Sequence, residues 1–282
     1  MRVDAHHHFW HYNAREFPWI GDDAPTLRRD FLPADLEAVL NAADVQLAVS
    51  VQARSSLAET RFLLQCASQM PEIAKVVGWV PLTAPDLPVL LEEFAENTAI
   101  AGFREIVQDE HAGYLLAPSF NGGIRQLTSR GYTYDILIRA PQLEETIAFV
   151  DQHPRQRFVL DHAAKPLIAQ HTLEPWRTQV KHLAERSHVF CKLSGLVTEA
   201  DWQRWTDAEL EPYLDTCLEA FGPKRLMAGS DWPVCLAAIS YGRWWRLLER
   251  WTGRLSQDEQ AHILGLNAAN FYAIPIGREA SQ

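Results

Sequence analysis

Short runs of apolar and β-branched residues alternate along this chain with longer segments whose apolar positions recur every three to four residues. The short runs Arg2–His6, Val45–Gln52, Ile73–Val80, Ala101–Ile106, Tyr132–Ile138, Arg157–His162, His188–Ser194 and Arg225–Ser230 predict strands. Several are almost wholly apolar inside, as strands covered on both faces should be. The longer segments Pro33–Ala43, Leu57–Met70, Asp86–Asn97, Pro141–His153, Glu174–Arg186, Glu199–Phe221 and Ile239–Trp251 predict helices. A further helix, Ser256–Tyr272, opens with Ser256 and Glu259 in capping-box spacing and is expected to close the fold. Strand–helix units repeated to this extent predict a parallel α/β fold: a distorted (β/α)8 TIM barrel with a C-terminal closing helix. It should form a single domain over residues 1–282, with the tail after about 275 frayed.

A chain of 282 residues, 47% of them hydrophobic, can bury the core that such a barrel needs. Its formal net charge of −10 leaves no excess of cations to neutralise a phosphate backbone, which argues against a nucleic-acid partner. Cys66, Cys191, Cys217 and Cys235 are widely spaced, with no C-x-x-C pair, and read as reduced thiols of a cytoplasmic protein. No apolar run reaches the ~20 residues that cross a bilayer, and the N-terminus runs directly into histidines rather than into a signal-peptide core.

Barrel active sites are built at the C-terminal ends of the strands, and three strand ends here carry metal-capable side chains. The first ends Asp4-Ala5-His6-His7-His8, the sixth Leu160-Asp161-His162, and the eighth Gly229-Ser230-Asp231. Residues two apart on a strand share a face, so His6 and His8 should project together into the barrel mouth while His7 points away. With His162 and Asp231 they make three neutral imidazoles and one carboxylate, a set that suits one divalent ion, zinc above all, and leaves room for a water. Singly, each of these residues also suits a structural role. The 9–31 segment after the first strand, which carries Trp10 and Trp19, is long enough to serve a site.

The motifs Asp4 to Trp10, Val159-Leu160-Asp161-His162 with Lys165-Pro166, Cys191 to Leu196, and Gly229-Ser230-Asp231-Trp232-Pro233 resemble the amidohydrolase-related lactonases. The chain is most similar there to L-fuconolactone hydrolases, through Tyr12 to Gly21, Gly102-Phe103-Arg104, Gln108-Asp109-Glu110 and Ser194 to Trp202. The resemblance implies hydrolysis of a sugar lactone. It also implies at most one metal, because the fifth strand ends Ile138-Arg139 and the seventh Lys192-Leu193-Ser194, without the ligands of a binuclear centre. It does not make that metal obligatory.

Lactone opening needs a nucleophilic water, charge stabilisation at the carbonyl oxygen and a proton for the departing alkoxide. Asp231 is the expected proton handler. His162 and Arg104 are expected to stabilise charge, with Gln52, Gln108 and Lys165 reaching sugar hydroxyls and Trp19 and Trp232 covering the sugar's C–H face. Two other readings suit the same pattern: a metal-dependent decarboxylase of an aromatic acid, and a sugar-binding barrel without chemistry.

Overall fold

In the computed structural model, which describes residues 1–276, eight parallel strands run in the order β1-β2-β3-β4-β5-β6-β7-β8. They are β1 Val3–His7, β2 Leu47–Val51, β3 Ile73–Gly78, β4 Ile100–Ile106, β5 Thr133–Leu137, β6 Phe158–Leu160, β7 Val189–Leu193 and β8 Leu226–Ala228. The expected frayed tail, beyond Ile276, lies outside the described residues. Closure between β8 and β1 comes just past the end of β8, where Asp231 N donates to His6 O at 2.8 Å and His8 N to Trp232 O at 2.7 Å. The seam of the TIM barrel therefore runs through the segments that carry His6, His8 and Asp231.

The strand faces alternate between two cores, as the period of a strand requires. Ala48, Val76, Phe103, Tyr134, Phe158 and Leu226 pack outward against the helices. Val3, Ala5, Val49, Val51, Val77, Val159 and Met227 fill the barrel's lower interior. The outer layer comprises α1 Pro33–Ala42, α2 Leu57–Gln69, α3 Leu87–Glu93, α4 Pro118–Ser129, α5 Leu143–Asp151, α6 Trp176–Ala184, α7 Asp207–Phe221 and α8 Tyr241–Thr252.

α4 is not among the helices that the apolar pattern predicts. Its sequence holds the helix-weakening pair Gly122-Gly123, yet Phe120, Ile124 and Leu127 give it one buried face. Gly123 packs so closely on the Leu82 backbone that a side chain there would collide with it. α7 starts later than expected, at Asp207, where Thr206 and Glu209 form a capping box.

The closing helix begins at the expected Ser256–Glu259 box, as α9 Gln257–Ala261, passes through a π-helical turn at His262–Leu266, and ends as α10 Asn267–Phe271. Ala268, Ala269, Phe271 and Tyr272 stopper the apolar end of the barrel. The polar mouth lies opposite. Among the described residues no helix is long and apolar enough to cross a membrane, and the four cysteines are buried free thiols.

Candidate active site

β1 delivers its histidines through a break in register. Asp4 pairs with Ala48 and His7 with Ser50, so three steps on β1 match two on β2. Uniform alternation would put Asp4 on the face of His6. With the bulge, His6 faces the barrel axis while Asp4 turns outward, accepting from Ser230 N at 2.8 Å, Ser230 Oγ at 2.6 Å and Tyr241 Oη at 3.0 Å. Burial raises the Asp4 carboxyl to about 6. His7 points away from the mouth, its Nε2 2.9 Å from Ser50 Oγ.

β6 stops at Leu160, two residues short of the expected end. His162, Ala163, Ala164 and Lys165 follow with φ of 52°, 48°, 62° and 50°, and Asp231 has φ 57°. Left-handed backbone costs a non-glycine residue about 1–2 kcal/mol, so the turn persists because its surroundings fix it. Trp176 Nε1 donates to Ala163 O at 2.7 Å, and His162 Nδ1 lies 2.9 Å from Ser194 Oγ. In a continuing strand Asp161 and His162 would face opposite ways. In this turn both reach the barrel axis.

The result is a compact cluster in which Nε2 of His6 and His8 lie 3.2 Å apart. Asp231 Oδ1 is 3.3 Å from His8 Nε2, 3.8 Å from His6 Nε2 and 3.9 Å from His162 Nε2. Ligands held tetrahedrally around zinc at ~2.1 Å are about 3.4 Å apart, so His6, His8 and Asp231 have the spacing of one face of such a site. His8 Nδ1 donates to Val51 O at 2.7 Å, which keeps the proton off its Nε2. The donor set fits one divalent ion. His162 stands beside it, grouped more closely with His6 and Asp161.

Burial drives all three imidazoles toward the neutral form, His162 to about 4 and His6 well below its ordinary value. Burial also pushes the Asp231 carboxyl up, but the neighbouring His162, His8 and Lys165 outweigh it and leave Asp231 below the usual carboxylate range. An ionised base thus sits among neutral rings. Above it lies a cavity of about 160 Å³ lined by His8, Trp19, Arg104, Gln108, Asp109, His162, Lys165 and Asp231, with Ala53, Ile106, Leu137 and Val234. That is below the ~300 Å³ at the small end of drug-sized sites, and suits a single small ring.

The amidohydrolase family model matches residues 3–274. The chain belongs to the amidohydrolase family. It is 43% identical to an L-fucono-1,5-lactonase of Burkholderia multivorans, covering 98% of this chain and 97% of that one. An L-fucono-1,5-lactonase of Burkholderia ambifaria is 37% identical over 100% and 99% of the two chains. A crystal structure of a Burkholderia multivorans amidohydrolase with bound zinc superposes with a TM-score of 0.93 at 44% identity, covering 98% of this chain and 100% of that one.

Not every expected contact is made in this amidohydrolase. Trp232 is 1% exposed and packs between Phe9 and Phe31, with ring centroids at 6.2 and 5.3 Å, so its indole belongs to the core rather than to the cavity wall. Gln52 is fully buried, its side-chain amide donating to Arg104 O at 3.2 Å while its backbone carbonyl accepts from Arg104 Nη2. It holds Arg104 rather than lining the cavity. His6 lies beneath the cavity floor rather than on it. Trp19, 46% exposed, stands at the rim against Trp10, and Gln108 lines the cavity with a buried Oε1 that has no partner.

The residues that strand-end reasoning misses lie below the histidines. Asp135, Asp161 and Lys192 are fully buried in the barrel interior. Lys192 Nζ lies 2.5 Å from Asp135 Oδ2 and 3.0 Å from Asp161 Oδ1, and Arg104 Nη1 donates to Asp161 Oδ2 at 3.0 Å. The signal for Asp135 and Lys192 was a lone charge inside an otherwise apolar strand, as in Val189–Leu193. Glu199, 4.0 Å from Lys165, is a further charged neighbour of the mouth.

Proposed function

We propose that this amidohydrolase hydrolyses a sugar lactone, L-fuconolactone or a related aldonolactone, to the aldonic acid, with Asp231 as the proton-transferring group. The observation that carries the reading is an ionised Asp231 on the wall of a monosaccharide-sized cavity, between His8 and His162 and facing Arg104 and Lys165. The full-length likeness to L-fucono-1,5-lactonases supports the substrate class.

Asp231 accepts a proton from water as the water oxygen bonds to the lactone carbonyl carbon. Arg104, held by Asp161 and Gln52, and the neutral His162 stabilise the negative charge that develops on the carbonyl oxygen. The ring C–O bond then breaks and Asp231 returns its proton to the departing alkoxide. Gln108 Oε1 and Lys165 offer an acceptor and a donor to ring hydroxyls, and Trp19 covers the sugar's apolar face. His6, His8, His162 and Asp231 would hold a zinc ion, which supplies further polarisation of the carbonyl when bound.

The test is acid release followed with a pH indicator across L-fucono-, L-galactono-, D-arabinono- and L-rhamnono-lactones, with and without chelator. Asp231→Asn should lower kcat by at least ~10³-fold while lactone binding persists. Wild-type turnover by Asp231→Asn would remove Asp231 from the mechanism. Stoichiometric CO2 from an aromatic acid would replace lactone opening by decarboxylation, and binding without acid release by any wild-type sample would leave a sugar-binding barrel.

A further inference from the structure

His6 has charged neighbours on both ring nitrogens. Lys192 Nζ lies 3.1 Å from its Nδ1, and Asp161 Oδ1 lies 3.4 Å from the same atom. Arg104 Nη1 lies 3.3 Å from its Nε2, and His8 Nε2 lies 3.2 Å from that atom. A neutral imidazole has one lone pair and one N–H, so it cannot satisfy all of these at once.

The chemistry of the partners decides between them. An ammonium group has three hydrogens and no lone pair, so it can only donate. Lys192 is fully buried between two carboxylates, which stabilise its charge, and the three atoms within 3.1 Å of it are Asp135 Oδ2, Asp161 Oδ1 and His6 Nδ1. Its third hydrogen therefore belongs to His6 Nδ1. Arg104 already donates to Asp161 Oδ2 and Gln52 O, through contacts shorter than the one to His6.

We propose that Lys192 is a positioning residue that competes with a metal ion for His6: by donating to Nδ1 it places the ring proton on Nε2, where a metal ligand needs a lone pair. The His6 Nε2–H then donates to His8 Nε2, and His8 donates onward through Nδ1 to Val51 O, which gives a directional chain Lys192–His6–His8–Val51. A divalent ion needs both Nε2 lone pairs. To accept it, His6 must move its proton to Nδ1, away from Lys192 and toward Asp161 Oδ1, 3.4 Å from that nitrogen. Lys192 thus opposes metal binding through tautomer as well as charge, and Asp161 favours it. This inference rests on the proposed cation site and is independent of the substrate.

Histidine-labelled protein, stripped with chelator, reports the tautomer through long-range 1H–15N correlation, with His6 assigned by loss of its signals in His6→Gln. Wild type should show His6 protonated on Nε2; a His6 protonated on Nδ1, or on both nitrogens, overturns the proposal. Removing Lys192 alone leaves two carboxylates buried together and risks unfolding. The comparison is therefore Lys192→Met in an Asp135→Asn background against Asp135→Asn alone, both checked for cooperative melting. Removing Lys192 should shift His6 to the Nδ1–H tautomer and tighten zinc binding, measured by calorimetry, by at least ~10-fold, the scale of effects from groups behind metal ligands. Tighter zinc binding without the tautomer shift would reduce Lys192 to a simple charge effect and overturn the proposal, as would unchanged or weaker binding. Failure of the Asp135→Asn protein to bind zinc at all would instead refute the cation site itself.

Discussion

Gly195 sits one residue beyond the Ser194 that holds His162, and a single methyl group there should uncouple the chemistry from the fold. Its φ is +63°, and a Cβ at this position would lie 2.5 Å from His162 Nδ1 and 3.1 Å from Asp231 Oδ2. Ordinary contact begins at 3.4 Å, so in Gly195→Ala the imidazole must retreat by about 1 Å, losing the 2.9 Å contact with Ser194 Oγ. A displacement of about 1 Å in a catalytic group costs about 10²-fold in rate. The left-handed backbone adds about 1–2 kcal/mol of destabilisation, which lowers Tm by roughly 2–8 °C in a chain of this size. Gly222 provides the control, since it has φ +65° but nothing within 4 Å of a built Cβ. Its ψ of 168° is still more restricted to glycine, so Gly222→Ala should lose at least as much stability and keep its activity. The assay is indicator-monitored lactone hydrolysis with a thermal melt on each variant. A folded Gly195→Ala enzyme with wild-type kcat, or a Gly222→Ala enzyme that loses as much activity, would refute the assignment of His162 and Asp231 as a sterically fixed pair.

Arg104→Lys keeps a charge but cannot span Asp161 Oδ2 and Gln52 O together, so kcat/KM should fall by about 10²–10³-fold; near-wild-type kinetics would refute its role at the carbonyl. Burial, with His8 nearby, pushes the His7 imidazole down to about 3 from 6.5. Between pH 6.5 and that value the unfolded chain takes the proton and the folded one does not, so His7 removes stability as pH falls. His7→Gln, measured by denaturant unfolding, should therefore gain about 3 kcal/mol relative to wild type on going from pH 7 to 4.5, whatever its penalty at neutral pH. Because Asp231 lies below the usual carboxylate range, the acid limb of kcat/KM should fall below pH 4 rather than near 6. A limb near 6 would point to a histidine in its place.

The eight strands and the strand-end positions of His6, His8, His162 and Asp231 are legible in the sequence because they follow from local periodicity. A period of two decides which neighbours share a face, and the parallel-barrel rule then decides which strand end holds the chemistry. Several features that complete the site lie beyond that reach. The bulge that turns Asp4 outward is stabilised by Ser230 and Tyr241, 226 and 237 residues away, and appears only when the barrel closes. The left-handed turn that brings Asp161 and His162 to one axis violates local preference and is fixed by Ser194 and Trp176. Trp232 follows a catalytic-looking aspartate in sequence, yet its ring turns into the Phe9–Phe31 core because that is where the closing seam leaves apolar volume. Asp135 and Lys192 are each the single charge of an otherwise apolar strand, and Asp161 lies just past the end of another. Only the closed barrel, by removing water from all three at once, requires them to meet and to settle where the proton of His6 resides.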